Sequence, residues 1–248
     1  MLNTRQIQEV LLEILEDIDN VCRKNNIKYS LYAGTLLGAV RHKGFIPWDD
    51  DADVAFERSE YEKFMKIYPN AKKKGYYLKT KQWVPKVIKE SLADDLIQNY
   101  FVDILIFDSA HNSAMAHRLH VFVLKILQGM LKENINYGRY NLVGKTLVFL
   151  THMMGKAFSP EWKLNLYVRV SQLANQKNTD KLGVFNTLFA YIKCVFPKNI
   201  VQSYEDVLFE NKKFMALSAS HEVLSILYGD YMMLPPEKDR VPSHEDGL

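Results

Sequence analysis

Tyr32-Ala33-Gly34-Thr35-Leu36-Leu37-Gly38-Ala39-Val40-Arg41-His42-Lys43-Gly44-Phe45-Ile46-Pro47-Trp48-Asp49-Asp50-Asp51-Ala52-Asp53-Val54 is the stretch on which the reading of this chain turns. It opens on a small-residue turn and closes on four carboxylates in five positions. Such carboxylates repel one another unless a positive charge sits among them. Asp51–Phe56 alternates polar and apolar residues, as a strand does, and side chains two apart on a strand share a face. Asp51 and Asp53 are therefore expected to project together, an all-oxygen pair suited to a hard cation such as Mg²⁺, or Mn²⁺ in its place. The bland alternative is a solvated acidic turn. Val54, Ala55 and Phe56 weigh against it, because they carry the acids into an apolar strand. A calcium loop of EF-hand spacing accommodates Asp49, Asp51, Asp53 and Glu60, but it places Val54 where the sharp turn needs Gly.

Upstream, Ile27–Ala33 reads as a strand and Leu36–Arg41 as a short helix, with Gly34-Thr35 the turn between them. A small-residue turn at a helix N-terminus offers free N–H groups to a phosphate. Arg41, His42 and Lys43 add positive charge between that turn and the acids. Downstream, Asp103 interrupts the apolar run Tyr100–Phe107, and a lone acid there is costly to bury unless it is paired or bound to metal. Beside Asp51–Phe56 it would complete a three-carboxylate site; Asp108, bordering an expected loop, is the weaker candidate.

Outward from this stretch, residues 4–25 follow the spacing of an amphipathic helix. Ser59 and Glu62 fit a capping box opening another helix, with Pro69 just after its end. Lys72–Gly75 reads as a solvated turn, and Lys86–Lys89 and Phe101–Phe107 as strands. Beyond residue 110 the chain changes character. Residues 116–133 and 142–157 are apolar and helical, Leu164–Ala174 and Gly183–Val195 continue that style, Tyr204–Glu210 is a strand or turn, and Glu222–Tyr228 is a final helix. His117 and His120, three apart on a helix, lack a third metal ligand. Trp83, Tyr76 and Tyr77 suit either core packing or an aromatic wall for a cation. The expected fold is one α+β domain over residues 1–248, with a mixed-sheet core at 1–110 and a mainly helical portion at 111–248.

Composition narrows the function classes. Of 248 residues 48% are hydrophobic and 25% charged, which excludes a disordered or fibrous chain. Thirty-two Lys and Arg stand against 29 Asp and Glu, too balanced to demand a nucleic-acid partner. Cys22 and Cys194, far apart, form neither a disulfide framework nor a zinc motif, and a reducing cytoplasm is the expected setting. The first twenty residues lack a signal-peptide pattern. The longest uncharged run, Tyr29–Val40, is shorter than the roughly 20 residues a membrane span needs. The apolar, Lys-bearing helices at 119–131 and 142–157 leave peripheral membrane contact open beside internal packing.

The stretch from Tyr32 to Val54 resembles the signature of the LicD family, which includes bacterial phosphorylcholine transferases and the animal proteins fukutin and fukutin-related protein. Leu227-Tyr228-Gly229-Asp230-Tyr231-Met232, Leu234-Pro235-Pro236, Arg240 and His244 resemble that family's C-terminal end. The resemblance implies a nucleotidyltransferase-like fold, with Gly34-Thr35 as the phosphate turn, Asp51 and Asp53 as the metal pair and Asp103 as the third acid. Asp49 would serve structure or catalysis. It also implies a reaction: a CDP-linked alcohol, CDP-choline above CDP-ribitol or CDP-glycerol, gives its phospho-alcohol to a hydroxyl of a cell-surface glycan or lipid-linked oligosaccharide, releasing CMP. In that picture Asp103 takes the proton of the attacking hydroxyl, and Arg41, His42 and Lys43 hold the diphosphate. Transfer of a nucleoside monophosphate and a catalytically silent binding module are the competing readings.

Overall fold

A computed structural model describes residues 3–90, 100–132, 135, 138, 142–237 and 240. The chain opens with helix α1 (Thr4–Lys24), started by a reciprocal cap. The Asn3 side chain accepts from the Gln6 amide and the Gln6 side chain accepts from the Asn3 amide, each at 2.9 Å. Its buried stripe, Leu11, Ile14, Leu15, Ile18, Val21 and Cys22, lies against the central sheet. Two polar residues on the same helix are buried as anchors. Asp17 accepts from the Tyr68 hydroxyl at 2.7 Å and the Lys73 amide at 3.1 Å. Gln8 donates to the carbonyls of Ile46 and Asp49, at 3.1 and 2.8 Å.

Strand β1 (Ser30–Leu31), helix α2 (Ala33–His42), strand β2 (Asp53–Glu57) and helix α3 (Arg58–Ala71) follow, then β3 (Tyr76–Lys79), β4 (Lys86–Lys89) and the long β5 (Tyr100–Ala110). The sheet order is β1-β2-β5-β4-β3, with β2 parallel to β5 and the other pairs antiparallel. Helices α4 (Ala114–Leu131), α5 (Leu142–Gly155) and α6 (Pro160–Ser171) form a layer with its own small core around Leu124, Leu127, Tyr167 and Phe185. The chain then returns to the sheet as β6 (Lys181–Val184) and β7 (Phe196–Pro197). A hairpin, β8 (Tyr204–Phe209) and β9 (Lys212–Leu217), and helix α7 (Ser220–Tyr228) complete the described fold.

β5 is the axis of the sheet. Phe107 is in register with Glu57 on one side and Val184 on the other, so β6 shares the β5 edge that β4 uses lower down. Between the two pairings the side chain of Asn186 completes the ladder. It accepts from the Ile106 amide at 2.9 Å and donates to the Ile104 carbonyl at 2.8 Å, satisfying backbone groups that would otherwise be buried unpaired.

The expected α+β class, a mixed sheet with flanking helices, is the one observed. Several local expectations are corrected. Gly34-Thr35 lie inside the first turn of α2, not before it, because Tyr32 supplies the cap position. Asp51 precedes β2 rather than belonging to it. Ser59 does not cap α3, whose cap position is Glu57, and Pro69 sits within its last turn rather than after its end. Asp108 lies within β5, not at a loop. Gly183–Val195 is not helical: Leu182–Val184 pairs with the end of β5, and this pairing overrides the apolar pattern. The run of helices breaks off at Ser171, residues 181–217 contribute four strands, and the expected final helix returns as α7. His244 lies outside the described residues.

Candidate active site

The acids converge where α2 begins and where β2 and β5 lie side by side. The Tyr32 amide donates to the Asp53 carbonyl at 3.0 Å, and the Asp53 amide donates to Thr35 Oγ1 at 2.8 Å. These two bonds lock the first turn of α2 onto the start of β2. The junction is sharp: Ala33 takes a left-handed φ of 46°, a conformation costly for a side-chain-bearing residue. The loop before β2 is drawn in by Gln8, whose amide holds the Asp49 carbonyl. A Cβ on Gly34 would stand 2.8 Å from Asp49 Oδ2 and 4.0 Å from Asp51 Oδ1, so a larger residue there would have to displace the Asp49 carboxylate. The amides of a helix's first turn lack intrahelical acceptors, and the helix dipole favours negative charge there.

Asp53 and Asp103 are direct partners in the parallel ladder of β2 and β5, and the Asp103 amide donates to the Ala52 carbonyl at 2.9 Å. Asp103 is also opposite Lys86 across the β5–β4 pair, with Lys86 Nζ 3.1 Å from Asp103 Oδ1. The same ammonium lies 3.3 Å from the centroid of the Phe101 ring. Lys86, Asp103 and Asp53 thus form one row across three adjacent strands.

The electrostatics match the crowding. Burial, then the charge of Asp51, a hydrogen bond with Asp51 and the charge of Asp50 push the Asp49 carboxyl up to about 8. Burial, then Asp51, Asp103 and Asp49 hold Asp53 well above the usual carboxylate range, against a smaller opposing pull from Lys86. Among the described residues no three acids, histidines or cysteines already converge closely enough to hold a metal ion. The donor chemistry nonetheless fits one. All the groups are carboxylate oxygens, two of them side by side on rigid strands, in surroundings that penalise their uncompensated charge.

Aromatic groups border the acids. Burial, followed by Tyr191 and the acids Asp53, Asp49 and Asp51, raises the Tyr228 hydroxyl far above its ordinary value. Tyr32 shifts the same way, through burial and then Tyr228, Cys194, Asp53 and Tyr191. Tyr191 and Tyr228 meet edge to face at 5.8 Å.

The other sequence candidates are placed differently. Arg41 donates to the carbonyls of Tyr231 at 2.8 Å and Met233 at 3.4 Å, clipping the C-terminal segment onto α2. Burial and then the neighbouring Arg240 lower its pKa, and Arg240 in turn lies 5.6 Å from the Trp48 ring. His42 packs edge-on to Trp48 and is lowered by burial and then Arg41. Lys43 ends α2 with φ 59°, and its Nζ turns back to the Val40 carbonyl at 3.2 Å. It stands about 13 Å along α2 from Gly34-Thr35. Asp108 is a structural pin, held bidentately by Arg58 at 2.8 and 2.7 Å and by Asn175 at 2.6 Å. His117 and His120 contact the carbonyls of Lys193 and Val170. Trp83 packs on Tyr167 in the second core, and Tyr76 is buried in the first. Lys86, Tyr191 and the placement of Arg240 were not legible as site features, because only strand register and the return of the C-terminal segment bring them in.

Comparison with known proteins agrees with this geometry. Residues 26–123 match the family described as LicD/FKTN/FKRP, nucleotidyltransferase domain. The chain is 31% identical to the lipopolysaccharide cholinephosphotransferase LicD of Haemophilus influenzae, over 98% of this chain and 96% of that protein. Uncharacterized proteins of Rickettsia typhi and Rickettsia prowazekii are 45% and 42% identical over 28% and 27% of the chain. With a match that spans nearly the whole of both chains, and with the acids standing on paired strands beside a helix N-terminus, this protein belongs to the LicD family.

Proposed function

We propose that this chain is a phosphotransferase that moves phosphocholine from CDP-choline to a hydroxyl of a cell-surface glycan precursor, of lipopolysaccharide type, and releases CMP. The observation that carries this reading is the pairing of Asp53 with Asp103, in register, at the foot of α2. Bound by Asp51, Asp53 and Asp103, a Mg²⁺ or Mn²⁺ ion would neutralise charge on the diphosphate.

The remaining work falls to side chains of the chain. The first-turn amides of Gly34 and Thr35 face the donor's phosphate oxygens. The glycan hydroxyl forms a new P–O bond as the bond from that phosphorus to the bridging oxygen of CMP breaks. Its proton passes to the Asp103 carboxylate, which Lys86 holds in place. Tyr191 and Tyr228 offer ring faces to the trimethylammonium of choline beside the acids, where a cation is favoured. Arg41, whose pKa burial and then the nearby Arg240 lower, is with Arg240 the natural hold for the leaving CMP phosphate.

The test is incubation of the purified chain with Mg²⁺, CDP-choline and a lipopolysaccharide-derived oligosaccharide, followed by ³¹P NMR and mass spectrometry of the products. A choline phosphodiester on the glycan with stoichiometric CMP is the expected result. CMP on the acceptor, or no transfer from any of CDP-choline, CDP-glycerol and CDP-ribitol, would overturn the proposal.

A further inference from the structure

The layer of α4, α5 and α6 carries an exposed apolar face of a kind that single soluble domains rarely show. Among the described residues, α5 packs closely against α4. There Thr151 closes on Gly129, and a Cβ on Gly155 would stand 2.4 Å from the Met130 carbonyl oxygen. Val148 is also buried, and most of the other described α5 side chains are exposed. Leu142 is 82% exposed, Leu150 53% and Met154 55%, and on α4 Leu119 is 64% and Phe122 54% exposed. At one end of this face Phe158 and Trp162 stack at 4.3 Å, both more than two-fifths exposed, and the amphipathic Trp162 ring is of the type favoured at a membrane–water boundary.

The charge around this face is predominantly basic. From Ser109 to Lys163 the sequence has seven Lys and Arg and two acids, Glu133 and Glu161. Arg118, Lys145 and Lys156 are exposed among the apolar residues. No helix among the described residues is long and apolar enough to cross a membrane. A face that is apolar at its centre, basic through its surface and aromatic at its edge has the properties of an element lying in a bilayer interface. A second copy of the chain is the poorer complement, because it would set one basic face against another.

We infer that the α4–α5 face docks this protein on an anionic lipid bilayer, with α5 lying in the headgroup region. The inference rests on this surface alone and holds whatever the active site transfers.

The experiment is flotation of the full chain with vesicles of phosphatidylcholine alone or mixed with phosphatidylglycerol at about three to one. The wild type is expected to float with the mixed vesicles at least about tenfold more strongly than with neutral ones, and to be released by salt. Leu150→Glu with Met154→Glu removes binding to both. Lys145→Glu with Lys156→Glu keeps the apolar face and abolishes the preference for anionic lipid. Wild-type protein left in solution with both vesicle types overturns the inference. So does either double variant floating like wild type. A wild-type dimer in light scattering, dissolved by Leu150→Glu with Met154→Glu and indifferent to vesicles, overturns it in favour of self-association.

Discussion

Asp49 is a carboxyl that the fold would rather keep neutral. Its folded value of about 8 lies above the ordinary unfolded value of roughly 4. Below that unfolded value the folded and unfolded forms are both protonated, and Asp49 costs nothing. As pH rises from about 4 to about 8 the unfolded chain sheds a proton that the fold retains, so stability falls across that window. We expect Asp49→Asn to melt higher than wild type at pH 8 in chelator, by on the order of 2 kcal/mol, with the two curves merging near pH 4. Thermal melts across that range check it, and equal stability at pH 8 would deny the crowding. Lys86 is the opposite case, a cation that belongs among the acids. Lys86→Met should lower kcat by about 10- to 100-fold with little change in KM, because it frees Asp103 without touching the donor. Lys86→Arg, which keeps the charge, should recover part of the loss.

At the scale of elements, the site depends on how β5 is held. It takes β2 on one edge and β4 then β6 on the other, and Asn186 fills the gap between the last two. Asn186→Ala orphans a buried amide and a buried carbonyl, an expected cost of about 2–4 kcal/mol, measurable by denaturant unfolding. A loss under about 0.5 kcal/mol would show that water replaces the side chain there. This element marks the boundary of what the sequence could reveal. The apolar run around Asp103 announced a strand, and its neighbour bearing Asp53 was anticipated from alternation and resemblance. Nothing local announced that Lys181–Val184 would leave an apolar, helix-like stretch to pair with β5. That outcome belongs to long-range pairing, which overrides propensity. The hairpin of β8 and β9 was half visible: Tyr204–Glu210 read as strand or turn, while the left-handed pair Glu210-Asn211 that folds it back carries no glycine to signal it.

At the scale of the whole molecule, one long stretch is joined by distant residues, Asp103, Lys86 and Arg240 among them, to make the candidate site. Tyr32–Val54 supplies the helix start and the acid loop as a continuous piece, which is why so much of the site could be read from it. Lys86 reaches it through strand register. Arg240 reaches it because Arg41 grips the carbonyls of the returning C-terminal segment. Both follow from the closed fold, and neither from spacing along the chain.

The most direct test of the account is the rate of CMP release from CDP-choline, with glycan acceptor, as a function of Mg²⁺ for wild type, Asp53→Asn and Asp103→Asn. The account predicts no turnover by wild type in chelator, saturating activation by Mg²⁺, and a loss of at least about 10³-fold in both variants, with folding intact by circular dichroism. Full activity in chelator, or either variant turning over within a few-fold of wild type, would contradict it.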